Sequence, residues 1–485
     1  MIHTGYTPWR SVSFRVLDDA QVREIKRAAL DILEHTGCDV LHPGARAMLK
    51  QAGALVNEER VKVPQHIVEE CIRLAPKGFP IFDREGNRAM EVEGRKSYFG
   101  TSTASPKTRD AFKGEIRETR VADIAFGARV ADALPNIDWV MPMGSSQDVP
   151  ALAADVHEFE AVVSNTTKPV VFIGYSARGS ERVYEMAAEI RGGLDALRER
   201  PFLLSYPEPI SPLVYPDEVV ERIFISADLM MPQIPGPTVQ FGATGPVTLA
   251  GAIAQVIAES LMGVVLAQLR RSGAPCVLGA NLSVFDMSTT QLTVASPEMS
   301  LALAGQAEVA QSLGLPTWGL AGATDSKVLD PQAGMESAFS ILAQGLAGLN
   351  LIHDVGYMDS AMVCSPEMLV LGNEAIGMAK RFCRGIEVDS GTLAVDVVEK
   401  VGPGGHFLQD DHTFRRFRQE LWRPSLLARQ EYSIWRADGA KDINQRIRER
   451  LEAIDQDHET ALLPDDVTAT LDRLKRKAEE ELAQT

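Results

Sequence analysis

The sequence predicts an α/β protein built on a (β/α)8 barrel, with an N-terminal helical segment and a C-terminal helical extension. Short apolar stretches with little charge recur through the middle of the chain, and helix-like segments separate them. Parallel strands that are buried on both faces have this apolar character. Alternation of strand and helix eight times is typical of a closed barrel. No GxGxxG pattern follows any of the stretches, which removes the usual reason to expect an open dinucleotide-binding sheet.

Eight strands can be placed along the chain, with helices between them. The strands are predicted at Ser97–Gly100, Trp139–Pro142, Val170–Ile173, Phe202–Tyr206, Thr238–Phe241, Cys276–Leu278, Thr317–Leu320 and Asn350–His353. The helices are predicted at Ala154–Val163, Arg182–Arg191, Ala252–Arg270, Met299–Leu313 and Met335–Ala347. The intervals between strands are long enough for the crossover helices that parallel pairing requires.

Segments outside this repeat divide the chain into three parts. We predict an N-terminal helical segment (residues 1–95), the barrel (residues 96–392) and a C-terminal extension that packs on the barrel (residues 393–485). In the first part, Asp18–His35 has helical periodicity and stops at Gly37, and Pro64–Leu74 begins with proline in its first turn. The extension ends in the charged stretch Pro464–Ala483, which is typical of a solvated amphipathic helix.

Composition and charge exclude several classes of partner. The 485 residues include 49 Lys or Arg and 66 Asp or Glu, a formal net charge of −17. Nucleic acid is therefore not an expected partner, because phosphate binding needs clustered Lys and Arg. No membrane partner is expected either, because the most apolar stretch, Ala250–Leu269, is interrupted by polar residues and indicates a buried helix. Met1–Arg10 lacks the apolar run of a secretory signal.

The cysteines indicate a reduced, cytoplasmic protein without a cysteine-based metal site. Their number is odd and none forms a CxxC pair; they are Cys38, Cys71, Cys276, Cys364 and Cys383. We predict no metal site.

Candidate site residues are the polar side chains at which the predicted strands end, because the active site of such a barrel lies at the carboxyl ends of its strands. We predict catalytic roles for Asp325, Lys327 and His353. We predict substrate-binding roles for Tyr98, Thr103, Tyr206, Glu208, Gln240, Asn281, Gln332 and Tyr357. No GxSxG, HExxH or phosphate-binding loop accompanies them.

Structural roles for some of these residues are equally open at this point. Asp330, followed by Pro331, has the pattern of a helix cap. His353 could be a buried structural histidine, and Glu208 could be an exposed acid in a proline-rich turn. Among aromatic residues near strand ends, Trp318 is predicted to belong to the barrel core.

Four motifs, in this order, resemble the trimethylamine methyltransferase family over nearly the whole chain. They are Ser211-Pro-Leu213, Ser296-Pro-Glu298, the loop Gly322-Ala-Thr-Asp-Ser-Lys-Val-Leu-Asp-Pro-Gln-Ala-Gly334, and Gly404-Gly-His-Phe-Leu408 followed by His412-Thr413. The resemblance implies an enzyme that moves a methyl group from an amine to the cobalt of a separate corrinoid protein. It also implies that the partner supplies the cobalamin, that no cofactor is tightly bound, and that the chain forms a homo-oligomer.

The amine is expected to be quaternary. Founding members of the family carry pyrrolysine, whereas this chain contains only common amino acids, and members without pyrrolysine are associated with glycine betaine, proline betaine or carnitine. A quaternary nitrogen leaves as a neutral amine, so cob(I)alamin can attack without a general acid. We therefore expect aromatic and amide groups around the methyls, and Lys327, His353 or an arginine near a substrate carboxylate. A non-catalytic betaine-binding barrel is the alternative, and a lyase or hydrolase using Asp325, Lys327 and His353 is a third hypothesis.

Overall fold

The computed structural model describes residue 12 and residues 14–482; Met1–Arg10 and Ala483 lie outside the described residues. Its strands are β1 (Cys38–Val40), β2 (Leu55–Asn57), β3 (Arg60–Lys62), β4 (Gly78–Phe82), β5 (Arg88–Glu93), β6 (Tyr98–Thr101), β7 (Lys107–Arg109), β8 (Ile116–Glu118), β9 (Val170–Phe172), β10 (Leu203–Ser205), β11 (Val214–Tyr215), β12 (Thr238–Phe241), β13 (Asn281–Asp286), β14 (Gln291–Thr293), β15 (Trp318–Leu320), β16 (Leu351–Val355), β17 (Tyr357–Met358) and β18 (Val363–Cys364).

Helices occupy nearly all the intervals between barrel strands. They are α1 (Asp19–Asp31), α2 (Pro43–Gln51), α3 (Gln65–Leu74), α4 (Val121–Ala133), α5 (Ala154–Val163), α6 (Ala177–Arg191), α7 (Leu194–Glu199), α8 (Asp217–Asp228), α9 (Leu249–Arg270), α10 (Pro297–Ser312), α11 (Pro331–Ala347), α12 (Pro366–Cys383), α13 (Ser390–Leu393), α14 (Val395–Val401), α15 (Asp411–Glu420), α16 (Tyr432–Ala437), α17 (Ile443–Asp457) and α18 (Asp465–Leu482). The helices predicted between the strands are all present, with ends shifted by a few residues.

Parallel pairing closes the barrel through eight positions. β6 pairs with Trp139, Val140 pairs with β9, and β9 pairs with β10. Ser205 pairs with Gln233, Gln233 with Cys276, and Leu278 with Thr317, the residue before β15. β15 then pairs with β16, which returns to β6. The predicted (β/α)8 barrel is confirmed.

The fifth barrel position differs from the prediction. Gln233 occupies it, and Thr238–Phe241 instead pairs in parallel with Asn281–Asp286. That strand belongs to a separate three-stranded sheet in the order β12-β13-β14. Pro232 and Pro235 flank the true position, and proline cannot donate to a strand ladder, so the barrel strand there is reduced to a bridge. After Gln233 the chain continues beyond the barrel rim as β12, which forms one wall of the barrel mouth.

A hairpin closes the opposite, N-terminal end of the barrel. β4 and β5 pair in antiparallel fashion, and their side chains Ile81, Met90 and Val92 pack against the barrel interior. Phe82 N donates to the Pro201 carbonyl just before β10, at 2.8 Å. The carboxyl ends of the strands are therefore the end at which a substrate site can form.

The N-terminal part contains strands as well as the predicted helices. α1 begins at the Asp18 cap, continues into a π-helical turn at Ile32–Thr36 and stops at Gly37, whose φ is +74°. β1 pairs in parallel with β11, which follows the fourth barrel strand. Short strands thus accompany the predicted helices in this segment; strands of three residues carry too little pattern to be recognised in the sequence.

The most apolar helix, α9, is a core element. By length and composition it could cross a membrane, but 83% of its apolar window is buried inside the protein. It packs against α1, α3, α8 and α10, as the interrupted apolar stretch predicted. All five cysteines are buried and free.

Candidate active site

An aromatic pair lies in the interior of the barrel. The Trp318 ring on β15 stacks on the His353 ring on β16, with centroids 4.3 Å apart and planes 28° apart. The adjacent parallel strands bring the two rings together. Trp318 is fully buried and His353 is 2% exposed, which confirms Trp318 as a core residue. The Tyr206 ring lies 5.2 Å from Trp318 and 6.4 Å from His353.

Asn281 joins this pair to the wall of the mouth. Its Oδ1 accepts a hydrogen bond from Trp318 Nε1 at 3.0 Å and lies 3.0 Å from His353 Nε2. An indole nitrogen can only donate, so the atom facing it must be the amide oxygen. His353 Nε2 shares that oxygen and must therefore carry a hydrogen.

The amide nitrogen of Asn281 extends the network to an acid. It donates to Thr238 Oγ1 at 3.2 Å, and the Thr238 hydroxyl donates to Glu208. Burial raises the pKa of the Glu208 carboxyl above its ordinary value, while the Thr238 hydrogen bond opposes that shift. Glu208 follows the fourth strand on a loop that Ser211 ties to Glu259 of α9 at 2.7 Å. Glu208 is thus hydrogen-bonded inside the mouth rather than exposed in a turn.

Two buried hydroxyls lie at the mouth. The Tyr206 hydroxyl interacts with Thr238, whereas the Ser283 hydroxyl makes no well-aligned hydrogen bond among the described residues. Ser283 is paired with Gln240 across β12 and β13, so both lie on the face that carries Thr238 and Asn281. Buried polar groups in proteins are usually satisfied. The Ser283 hydroxyl is therefore a group that a ligand at the mouth could bind.

The end of β16 carries backbone strain. Asp354 has a φ of +84°, a left-handed conformation that side-chain-bearing residues rarely adopt. It brings Asp354 Oδ1 to 2.7 Å from His353 Nδ1, although neither atom makes a well-aligned hydrogen bond. Strain of this kind concentrates at functional sites, and here it places a second buried carboxylate beside the stacked rings.

Tyr357 and Thr103 complete the mouth on the side of the first strand. The Tyr357 hydroxyl donates to the Thr103 backbone carbonyl. Both residues are buried, and the negative charges of Asp354 and Glu208 act on the Tyr357 hydroxyl. The structure therefore brings together six predicted residues from the ends of different strands: Thr103, Tyr206, Glu208, Asn281, His353 and Tyr357. Gln240 lies on the same wall.

Asp325 has a different position and set of partners. Its carboxylate accepts from Thr293 Oγ1, from Val294 N at 3.0 Å and from Ser360 Oγ at 3.0 Å. These donors come from the end of β14 and from the loop after β17. Asp325 therefore ties three loops together, and its lone pairs are largely used.

Three predicted residues are not brought to the cluster. Lys327 has a side chain that is 66% exposed and lies 3.4 Å from Asp359. Gln332 is exposed in the first turn of α11 and donates to Glu336 at 2.9 Å. Tyr98 lies at the closed end, where its hydroxyl accepts from Glu91 N at 3.0 Å. By contrast, the predicted cap is confirmed, because Asp330 accepts from Ala333 N at 3.0 Å.

A second polar cluster follows the second and third barrel positions. Glu158 accepts from Ser146 N at 2.8 Å, from Ser146 Oγ at 2.9 Å and from the Tyr175 hydroxyl at 3.0 Å. Burial raises the pKa of Glu158 to about 7. Ser145 and Tyr175 follow the second and third barrel positions. Glu158 lies on helix α5, where the sequence gives no sign that a charged residue faces inwards.

The described residues of the mouth do not form a set of metal ligands. Among residue 12 and residues 14–482, no group of three or more His, Cys, Asp or Glu side chains could hold a metal ion. What these residues offer is rings, an amide, hydroxyls and two buried carboxylates, a chemistry that suits a cationic organic ligand.

The fold and the mouth place this chain among the (β/α)8-barrel proteins whose substrate site lies at the carboxyl ends of the strands. Comparison with known proteins identifies the family within that class. A family model described as trimethylamine methyltransferase (MTTB) matches residues 7–482. Trimethylamine methyltransferase MttB of Desulfitobacterium hafniense is 32% identical over 484 residues, which cover 99% of this chain and 97% of the relative. The chain belongs to the trimethylamine methyltransferase family.

Further relatives and one solved structure agree with this assignment. The glycine betaine methyltransferase of Desulfitobacterium hafniense is 30% identical, covering 94% of this chain and 96% of the relative. The MttB of Methanosarcina thermophila is 31% identical, covering 96% and 97%. The crystal structure of the Methanosarcina barkeri monomethylamine methyltransferase (MtmB) covers 97% of this chain and 89% of its own, with a TM-score of 0.54 and 11% identity. That likeness supports the fold alone.

Proposed function

We propose that this protein transfers a methyl group from a quaternary amine, of the glycine betaine, proline betaine or carnitine type, to the Co(I) of a cognate corrinoid protein. The relatives named for trimethylamine and for glycine betaine support methyl transfer from a methylated amine. The observation that supports a quaternary amine as the substrate is the composition of the mouth, in which stacked rings lie beside two buried carboxylates.

The reaction needs no proton from the protein. Co(I) supplies an electron pair to the methyl carbon, the carbon–cobalt bond forms, and the carbon–nitrogen bond breaks. The electron pair of the carbon–nitrogen bond stays on nitrogen, and the product leaves as a neutral tertiary amine. The residues must therefore hold the ammonium group, align it and exclude water. Tyr206 and Tyr357 supply rings, and each favourable cation–π contact contributes roughly 0.5–2 kcal/mol.

Glu208 and Asp354 place negative charge near the bound cation. A fully ionised pair against the nitrogen would stabilise the ground state more than the transition state, in which the positive charge is disappearing. Burial raises the pKa of Glu208, so its carboxylate loses its charge at a higher pH than an exposed glutamate does. Lys327, exposed and beside Asp359, has no part in this proposal.

The partner would approach over the mouth, where the loops carry exposed apolar side chains. Val247 and Met287 are 67% and 60% exposed and both approach Gly242 beyond β12. Ile210, Val328 and Met362 are exposed on other loops that follow barrel positions. Apolar side chains grouped around a site indicate a protein-binding surface. The cobalt of a corrinoid protein must reach the methyl group from this side.

The test is methylation of cob(I)alamin, followed by absorbance, with glycine betaine, proline betaine, carnitine and trimethylamine. Turnover of one or more quaternary amines, with the demethylated amine detected by mass spectrometry, is expected. Turnover of trimethylamine alone would contradict the quaternary substrate. A thermal shift with a betaine but no methylation would favour a non-catalytic binder, and turnover without any corrinoid would favour a lyase or hydrolase.

A further inference from the structure

A basic groove lies at the end of the barrel opposite the mouth. Its volume is about 1070 Å3, and six Lys or Arg side chains line it: Lys380, Arg381, Arg384, Arg418, Arg423 and Arg429. Pro135 and Asn136, in the connection from α4 to the second barrel position, form one wall. Lys380 Nζ contacts the Asn136 carbonyl at 3.3 Å and Asp138 at 3.1 Å. These are helix-to-strand connections, which lie at the N-terminal end of a barrel.

The basic groove combines positive charge with apolar surface. Glu420 lies 3.6 Å from Arg381 and 3.8 Å from Arg384, so with Asp138 two carboxylates face six cations. Leu421, Phe417 and Trp422 supply apolar lining. In a protein with a formal charge of −17, this concentration of basic residues favours an acidic occupant that also presents apolar side chains.

This chain itself carries a segment of that description, residues 386–399, which we call the acidic arm. It contains four acids and no basic residue. Its large apolar side chains are strongly exposed, with Ile386 at 82%, Val388 at 71% and Val395 at 70%. Its helices α13 and α14, both within the described residues, contain no buried residue.

Exposure of this kind needs a covering surface. Ordering a segment costs conformational entropy that apolar burial must offset, and short helices are unstable without tertiary packing. Within one copy of the chain, the helices of the acidic arm bury no side chain that could offset this cost. Helix α12 adds Met378 and Phe382, 46% and 54% exposed, on the route from the groove to the arm.

We propose that the acidic arm of one copy occupies the basic groove of a second copy of this chain. The chain holds both complementary halves, and a two-fold arrangement would repeat the contact twice. Each copy would bury on the order of 800 Å2, the scale of a stable interface. A corrinoid protein that delivers cobalt to the mouth is not the expected occupant, because the groove is at the other end of the barrel.

The test is the mass of the full-length protein by sedimentation velocity. We expect a dimer or larger assembly at low salt that weakens at high salt, since exposed charge pairs are screened. Val395→Asp and Arg418→Glu should each shift the protein towards the monomer without lowering its melting temperature. Leu55→Asp, at a 65% exposed leucine in β2, is the matched control and should leave the mass unchanged.

A double variant gives a second, independent measurement. Val388→Cys combined with Leu421→Cys should form a disulfide between chains, seen as a dimer on a non-reducing gel. A monomeric wild type at tens of micromolar would overturn the proposal, as would an assembly that Val395→Asp and Leu55→Asp leave equally intact. Loss of corrinoid-protein binding in Val395→Asp, with self-association unchanged, would also overturn it. These readouts are masses, so they do not depend on the proposed methyl transfer.

Discussion

At the scale of single residues, Asn281 links the aromatic pair to the acid of the mouth. Its carbonyl accepts from Trp318 and His353, and its amide nitrogen donates to Thr238, which donates to Glu208. One side chain therefore fixes the hydrogen on His353 Nε2 and the orientation of the Thr238 hydroxyl. This role is positional, and it depends on an amide, because neither a carboxylate nor an aliphatic side chain can both donate and accept.

We expect Asn281→Ala to lower kcat/KM at least about 10-fold. The change leaves Trp318 Nε1 and His353 Nε2 without their acceptor, and a buried unsatisfied donor costs roughly 1–3 kcal/mol. Gln332→Ala, at an exposed amide outside the cluster, is the control and should stay within about 2-fold. Equal activity losses in the two variants would contradict the placement of the site. Steady-state kinetics with the best substrate of the cob(I)alamin assay provides the measurement.

Glu208 predicts a pH-dependent affinity for the amine. Its pKa is raised by burial, so as the pH falls through that pKa the carboxyl becomes neutral and its attraction for the ammonium group is lost. The KM of the wild type should therefore rise at lower pH. Glu208→Gln keeps an acceptor for Thr238 but has no charge; its KM should be raised roughly 3- to 10-fold and should lack this pH dependence. A variant that retained the wild-type profile would exclude Glu208 from cation binding.

The raised pKa of Glu158 predicts a pH-dependent stability of the folded protein. The folded pKa is about 7, against an ordinary value of 4.5, so between these values the folded state keeps a proton that the unfolded state has lost. Stability then falls as pH rises from about 4.5 to about 7, by roughly 3 kcal/mol at most. Glu158→Gln retains acceptors for Ser146 and can donate to Tyr175. Its stability relative to wild type should increase from pH 5 to pH 8 in urea denaturation; a constant difference would contradict the raised pKa.

At the scale of elements, the mouth is built by a sheet that continues past the barrel. β12 and β13 leave the fifth and sixth positions and carry Thr238, Gln240, Asn281 and Ser283 on one face. Asp325 fastens the end of β14 to the loops after β15 and β17. The wall therefore depends on a carboxylate that does not itself reach the rings.

We expect Asp325→Ala to destabilise the wall more than it affects any chemical step. Three donors lose their acceptor, so the free energy of unfolding should fall by roughly 2 kcal/mol or more, with a higher KM. Lys327→Ala, two residues away and exposed, should change stability by less than about 0.5 kcal/mol. Thermal unfolding of both variants, together with their kinetics, makes the comparison. An inactive Asp325→Ala protein of unchanged stability and KM would instead support the original expectation of a catalytic Asp325.

The same elements show what the sequence could and could not predict. Strand ends such as His353 and Asn281 were recognisable because strand order and the barrel rule bring them together. The fifth position was missed because Gln233 lies between prolines and has no apolar run, whereas Thr238–Phe241 alternates as a strand should. Tyr98 lies away from the mouth because it begins β6, and the first residue of a barrel strand lies at the N-terminal, closed end.

Contacts set by distant partners were also beyond the sequence. Thr238 and Ser283 were not predicted as site residues, because their faces became defined only by the pairing of β12 with β13. Lys327 follows a barrel strand in sequence, yet the loop that contains it turns outwards once Asp325 is bound to β14. Side-chain direction in a loop depends on such long-range hydrogen bonds, which local patterns do not encode.

At the scale of the whole molecule, two groups of exposed apolar side chains lie at opposite ends of the barrel. One surface is the rim of the mouth, with Val247 and Met287; the other is the acidic arm and basic groove. A different partner is proposed for each surface: a corrinoid protein for the rim of the mouth, and another copy of this chain for the acidic arm and basic groove. Because they are separated by the length of the barrel, substitutions in one should not affect the function of the other.

We therefore expect Met287→Asp to separate chemistry from partner binding. Placing a charge on the rim should reduce methyl transfer to the corrinoid protein at least about 10-fold, since a buried unpaired charge weakens association. Transfer to free cob(I)alamin at saturating concentration should change by less than about 3-fold, because the rings and Asn281 are untouched. The oligomeric mass should also stay that of the wild type.

Val395→Asp is the reciprocal control for this prediction. It should alter the oligomeric mass while leaving transfer to the corrinoid protein and to free cob(I)alamin close to wild type. Kinetics with both acceptors and sedimentation of both variants show, for each variant, whether methyl transfer, self-association or both are lost. If Met287→Asp reduced transfer to both acceptors equally, the rim would belong to the substrate site rather than to a docking surface. If Val395→Asp impaired transfer to the corrinoid protein alone, the partner would bind at the closed end of the barrel, and the geometry proposed for cobalt delivery would be wrong.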